Sequence, residues 1–235
     1  DRYIDAISLS PSPRATTSTM SLGLLIVLVI IVLAYVYGST DHRETIRVAG
    51  RDWNVLSDYD NAAAAALLLE RTHAKMIRFL AYLKDKYHVN ETDEEIADCA
   101  THPHDTEQRR IVTALLDGYN PDVFYENRPG TNGTSYTINK GSAMYICLRN
   151  KINQNKLVDP DMLMYVMLHE ASHIANYNGW GHEKRFWEVF KFILQNAVES
   201  GTYTPIDYSK RPEDYCGLHV NYNPYFDGAL ANIDM

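Results

Sequence analysis

Apolar positions divide this chain into a few clear segments. The strongest is an unbroken apolar run, Leu22-Gly23-Leu24-Leu25-Ile26-Val27-Leu28-Val29-Ile30-Ile31-Val32-Leu33-Ala34-Tyr35-Val36-Tyr37, inside an uncharged stretch from Ala15 to Thr40. A run of that kind predicts a transmembrane helix over residues 20–38, since ~20 apolar residues cross a hydrocarbon core of about 30 Å, with Tyr35 and Tyr37 at an interface. A cleaved signal peptide ending near Val36 or Gly38 is the alternative. Residues 1–19 form a polar head and 39–57 a juxtamembrane connector. From Asp58 or Asp60 to about Tyr87 the chain is rich in helix formers, with Leu67, Ile77, Leu80 and Leu83 near helical spacing. Thr92-Asp93-Glu94-Glu95 can cap a short helix, and a further helix is expected from Asp105 or Thr106 through Leu116, stopped by Asp117-Gly118.

Turn-forming pairs at Asn120-Pro121, Pro129-Gly130 and Asn132-Gly133 mark a loop-rich segment. Tyr136-Thr137-Ile138 and Tyr145-Ile146-Cys147-Leu148 then predict two strands joined at Asn139-Lys140-Gly141. Asp159-Pro160-Asp161 gives an N-cap acid, a first-turn proline and another acid. Behind it Met162-Leu163-Met164-Tyr165-Val166-Met167-Leu168 is apolar nearly all round, the pattern of a buried helix, and Asn178-Gly179 is expected to end it. A last helix, Glu183–Glu199, carries Phe186, Val189, Phe190 and Ile193 on one face and stops at Gly201. The tyrosine-rich tail beyond about residue 202 has no clear period.

The buried helix runs directly into His169-Glu170-Ala171-Ser172-His173. Residues four apart share a helical face, so the two imidazoles can converge on one metal ion while Glu170 reaches a water beside it. This is the HExxH arrangement of zinc-dependent peptidases. Catalytic zinc takes three protein ligands and keeps one position open. His182, in Trp180-Gly181-His182, is the best third candidate, with Glu188 and Glu199 as competing donors. His102-Pro103-His104 reads as a loop, and Tyr208, Tyr215 and His219 are candidates for steadying an oxyanion.

Met167 to His173, followed by Gly181-His182-Glu183-Lys184-Arg185-Phe186-Trp187, resembles the WLM/SprT-like zinc metallopeptidases. The likeness covers roughly residues 134–200. A fuller pattern, from Tyr136-Thr137-Ile138-Asn139-Lys140-Gly141 to Tyr215-Cys216-Gly217, is similar to WLM-like proteins of large DNA viruses. The resemblance implies Zn2+ on His169, His173 and His182, with Glu170 as catalytic base. It also implies an edge strand at 143–149, carrying Tyr145 and Cys147, that pairs with an extended protein or peptide substrate by strand addition. The implied fold is α+β: a zincin-like domain over residues 58–235 with a small antiparallel sheet and an HExxH core helix, preceded by the single transmembrane helix.

A net charge of −8 excludes a nucleic-acid binder that works by charge alone. Three cysteines, Cys99, Cys147 and Cys216, are too scattered for a disulfide framework. Their odd number fits a reducing compartment, with one disulfide plus a free thiol as the alternative, and Cys147 reads as a core residue. Arg43, Arg47 and Arg51 tilt the orientation weakly towards a cytoplasmic catalytic domain. The sequence therefore predicts a membrane-anchored zinc peptidase contacting the bilayer through residues 20–38. The rival is a membrane-anchored docking protein of a virion, in contact with virion structural proteins and reusing a peptidase-like fold.

Overall fold

The computed structural model describes residues 22–39, 42–89, 106–129 and 134–233. The expectations at 1–19, Thr92–Glu95, Cys99, His102–His104 and Asn132-Gly133 lie outside these residues. The chain divides into two units, 1–40 and 41–235.

In the first unit, helix α1 spans Leu22–Ser39, 18 residues. At 1.5 Å per residue it measures about 27 Å, below the ~30 Å of a hydrocarbon core. Among the described residues, no helix is long and apolar enough to cross a membrane. The single-pass span at 20–38 is corrected accordingly, and so are the bilayer contact and the membrane localisation that rested on it.

The second unit begins where a connector was expected. Arg43–Val48 and Arg51–Leu56 form an antiparallel hairpin, β1 and β2. Its two-residue turn places Ala49 at φ 50° and Gly50 at φ 87°, the doubly left-handed turn whose twist suits a hairpin. Helix α2 (Ala62–Lys86) and helix α3 (Glu107–Gly118) follow. Three further strands, β3 (Phe124–Asn127), β4 (Tyr136–Ile138) and β5 (Ala143–Cys147), complete a five-stranded sheet in the order β1-β2-β3-β5-β4.

This sheet is mixed, which corrects the expected antiparallel one: β2–β3 and β3–β5 are parallel, β1–β2 and β4–β5 antiparallel. Parallel neighbours need crossovers, and α2 with α3 supplies the one between β2 and β3. The β5 strand is therefore interior, and β4 ends the sheet. Alternation does the rest. Phe124, Met144 and Ile146 point into the core, while Tyr125, Tyr145 and Tyr136 stack along the other face with ring centroids 5.3 and 4.8 Å apart.

Helix α4 (Pro160–Ala175) carries the HExxH motif. Asp159 Oδ1 accepts from the Asp161 and Met162 amides at 2.9 and 3.4 Å, satisfying two of the donors a helix start leaves open. The helix ends at Ala175, one turn before the expected Asn178-Gly179. Helix α5 (Lys184–Glu199) packs beside it, burying Phe186, Val189, Phe190 and Ile193. On α2 the inward face is Ala65, Leu69, Met76, Phe79, Leu80 and Leu83; Leu67 and Ile77, expected inside, are exposed. Ile77 falls about a third of a turn off the buried stripe and Leu67 nearly half a turn.

Two devices fix the walls around α4. Glu126 and Arg149 form a fully buried pair, Nε to Oε1 at 2.6 Å, and the Leu56 amide donates to Glu126 Oε2 at 2.7 Å. Arg149 also donates to Asn61 at the start of α2, so β2, β3, β5 and α2 meet at one charge pair. Cys147 forms a disulfide with Cys216, closing 69 residues. This corrects the picture of unpaired thiols, because the chain brings together two sulfurs whose distance in sequence hid their pairing. It ties β5 to the C-terminal hairpin β6 (Glu213–Tyr215) and β7 (Leu218–Val220).

The turn between β4 and β5 docks on the end of α4. Gly141 has φ 107°, and a Cβ there would strike the Gly118 carbonyl at the end of α3. That close approach delivers the Lys140 ammonium to the carbonyl of His173 (3.2 Å), near the end of α4, and to those of Asn176 and Gly179 in the loop that follows.

Reducing the disulfide should lower unfolding stability by about 2–4 kcal/mol, the usual contribution of a disulfide, measurable by chemical denaturation with and without reductant. Lys140→Met should cost about 1–3 kcal/mol by stranding buried carbonyls, read from the same denaturation curves.

Candidate metal and hydrolytic site

The open end of α4 gathers the chemistry. His169 and His173 lie one helical turn apart, and the loop after α4 folds His182 back over them. The ring centroids form a near-equilateral triangle: 5.0 Å for 169–173, 4.9 Å for 169–182 and 4.8 Å for 173–182. One nitrogen from each ring falls within 4.8 Å of the others, and the Nε2 atoms of His169 and His182 are 2.9 Å apart. Tetrahedral zinc at the usual Zn–N distance asks for nitrogens about 3.3 Å apart. A cluster of this size can hold a metal ion.

Protonation favours the same use. Burial, then the neighbouring His173 and His182, holds His169 well below the usual imidazole range. Burial lowers His173 to about 4, assisted by His182 and Lys140, and burial also lowers His182. All three are neutral near pH 7 and present lone pairs, the form a metal requires.

His182 is held by packing and by a hydrogen bond. Trp187 Nε1 donates to the His182 carbonyl at 3.0 Å, and the two rings stack with centroids 5.7 Å apart. Phe186 lies under His173, centroids 4.3 Å apart. The competing donors sit elsewhere. Glu188 pairs with Lys184 and Arg185 at 3.6 and 3.9 Å, and Glu199, at the far end of α5, pairs with Lys86 at 2.6 Å.

Glu170 is buried beside the imidazoles, and Thr137 Oγ1 of β4 donates to its Oε2 at 2.9 Å. Burial pushes its carboxyl up to about 7, against the hydrogen bond from Thr137. A carboxyl poised near neutrality can both take and return a proton. Thr137 and Lys140 support the site but carried no signal in the sequence, because only the folded hairpin brings them to α4.

Two cavities meet at this centre, sharing Ser135, His169 and Glu170. One, about 260 Å³, lies over the imidazoles towards Lys140 and Trp180; the other, about 220 Å³, extends under β6–β7. A larger polar cavity, about 660 Å³, opens beside the β1–β2 hairpin, but its walls are engaged in ion pairs such as Arg47–Asp52 and Arg51–Asp122. Size therefore does not mark the site.

Tyr145 and Cys147, expected to bind substrate from an edge strand, do not line either central cavity. Their strand is interior, Tyr145 stacks on the sheet's outer face, and Cys147 is buried in the disulfide. Tyr208 is buried in the core, against Tyr165. Tyr215 donates to the Cys147 carbonyl at 2.7 Å and meets Ser135 Oγ at 2.7 Å. His219 lines the second cavity with its Nδ1 2.9 Å from Asp214.

No family model and no solved structure matches the chain significantly. The WLM/SprT-like assignment is corrected on that finding: short motifs around an HExxH helix recur too easily to carry a family, so the site stands on its own geometry. Similarity is found to two viral proteins. One is uncharacterized protein R325 of Acanthamoeba polyphaga mimivirus, 35% identical over 116 residues, covering 49% of this chain and 58% of the relative. The other is uncharacterized protein 136R of Invertebrate iridescent virus 6, 30% identical over 103 residues, covering 43% of this chain and 56% of the relative. The chain thus spans little more than half the length of the curated relatives it matches.

Proposed function

We propose that the chain is a zinc-dependent hydrolase of peptide bonds, with zinc on His169, His173 and His182 and Glu170 as general base. The observation that carries this reading is the convergence of three neutral imidazoles on one point beside a buried carboxyl group. The bilayer anchor and the virion docking role that depended on it form no part of the reading.

Zinc bound there supplies Lewis-acid polarisation of the scissile carbonyl and acidifies a water molecule. Glu170 accepts a proton from the attacking water and returns it to the departing nitrogen, so no covalent link to the protein is formed. Thr137 holds the Glu170 carboxylate in place from β4. Phe186 packs against His173, and Trp187 holds the His182 backbone carbonyl and stacks on its ring, which fixes their aim. A peptide suits the site because β4 ends the sheet directly beside Glu170, and an extended chain can lie along a sheet edge.

The folded chain should retain about one zinc after dialysis, measured by elemental analysis, and His173→Ala should abolish that retention. A folded sample that takes up no zinc would end the proposal. Glu170→Gln should keep its zinc yet lose about 10²–10⁴-fold in kcat on peptide substrates, the usual span for a general base. Unchanged turnover in that variant would remove Glu170 from the role of general base.

A further inference from the structure

The cavity beneath β6–β7 has a character different from the metal centre it adjoins. Tyr165 and Val166 of α4, Trp187 of α5, and Leu218, Val220 and Tyr222 from the C-terminal hairpin and the chain after it line it. Its volume of about 220 Å³ is below the ~300 Å³ where small-molecule pockets begin, a size for one large side chain. The wall is preformed. Cys216, in the turn of the hairpin, is bonded to Cys147, Tyr165 Oη donates to the Tyr222 carbonyl at 2.8 Å, and Trp187 packs on Tyr222 with centroids 5.3 Å apart. Leu218 is 55% exposed and Tyr222 38%, so apolar surface faces the opening.

We infer that this cavity is the specificity pocket of the site and takes a large apolar side chain, aromatic or aliphatic, of the peptide next to the scissile bond. The inference rests on the proposed hydrolase reading. Continuity places the occupant: Ser135, His169 and Glu170 belong to both cavities, so a chain lying across Glu170 drops a neighbouring side chain under the hairpin. The lining selects it, because the walls are aromatic and aliphatic. Of the polar groups in the lining, Tyr215 is engaged with Ser135 and the Cys147 carbonyl, His219 with Asp214 and Glu170 with Thr137, while Asn221 is exposed. Burying a charged side chain against the aromatic and aliphatic wall therefore costs more than burying an apolar one.

The test has two arms on the full chain. In the first, N-acetyl-L-phenylalanine amide and N-acetylglycine amide are titrated while the Trp187 indole N–H resonance is followed, identified by its loss in Trp187→Phe. The phenylalanine amide should bind roughly ten- to a hundredfold tighter, as burial of an aromatic side chain implies. Leu218→Arg, an exposed change that leaves the core intact, should erase most of that preference. Equal binding of the two amides, or a preference untouched by Leu218→Arg, overturns the pocket.

In the second arm, the zinc-loaded chain is given a library of unstructured peptides, and cleavage sites are read by mass spectrometry. Phe, Leu, Ile and Met should concentrate at one position beside the cut, and Leu218→Arg should move that position towards Asp and Glu. Cleavage without apolar preference overturns the pocket and leaves the hydrolase reading standing. Amide preference without any cleavage removes the hydrolase reading, and with it the assignment to a scissile bond.

Discussion

A helix buried on nearly every side must be enclosed before it is stable, and the domain is arranged around α4 for that reason. From Met162 to Leu168 the helix offers no polar side chain to water except through Tyr165, whose hydroxyl reaches a backbone carbonyl of the tail. The sheet covers one side, α2 and α3 another, α5 a third, and the tyrosine-rich tail the remainder. Only along Tyr165, Val166, His169, Glu170 and His173 does α4 border the two central cavities. Enclosure of this kind fixes the histidines from below, because a close-packed helix cannot rotate or slide without losing contacts along its whole length.

The same burial sets the chemistry. Removing water from around the imidazoles and Glu170 disfavours their charged forms, so the histidines stay neutral and the carboxyl group titrates near neutrality. Lys140 is the counterweight. Its ammonium is spent on the helix-end carbonyls, and it stacks over Trp180 at 4.7 Å, so it braces the loop that carries His182. The Glu126–Arg149 pair performs a comparable task in the sheet, joining segments far apart in sequence at a buried point where each partner depends on the other.

Rigid walls on both flanks of the centre come from different sources. On the β4 side, the turn is locked by backbone contact between Gly141 and Gly118. On the other, the Cys147–Cys216 bond holds a short hairpin with little core of its own. Two strands of three residues each could not maintain a wall by hydrogen bonds alone, since an isolated hairpin is marginal in water.

Local rules made several features legible in the sequence. The capped start of α4, the amphipathic α5 and the pairing of the two histidines follow from spacing and end chemistry, which depend on neighbours within a few residues. The candidacy of His169 and His173 for one metal ion was readable for the same reason. His182 was readable as the leading third candidate, but setting Glu188 and Glu199 aside turned on where a loop folds. Other features were decided only by tertiary structure. Residues 43–56 joined the sheet because their partner β3 lies some seventy positions on, and interior placement of β5 followed from that pairing. The disulfide, the Lys140 clamp, the Thr137 contact to Glu170 and the apolar cavity under β6–β7 all join residues distant in sequence. Composition also misled at α1, where an apolar run suggested more length than the described helix supplies. Periodicity reports which face of an element seeks burial; only the folded chain decides what meets it there.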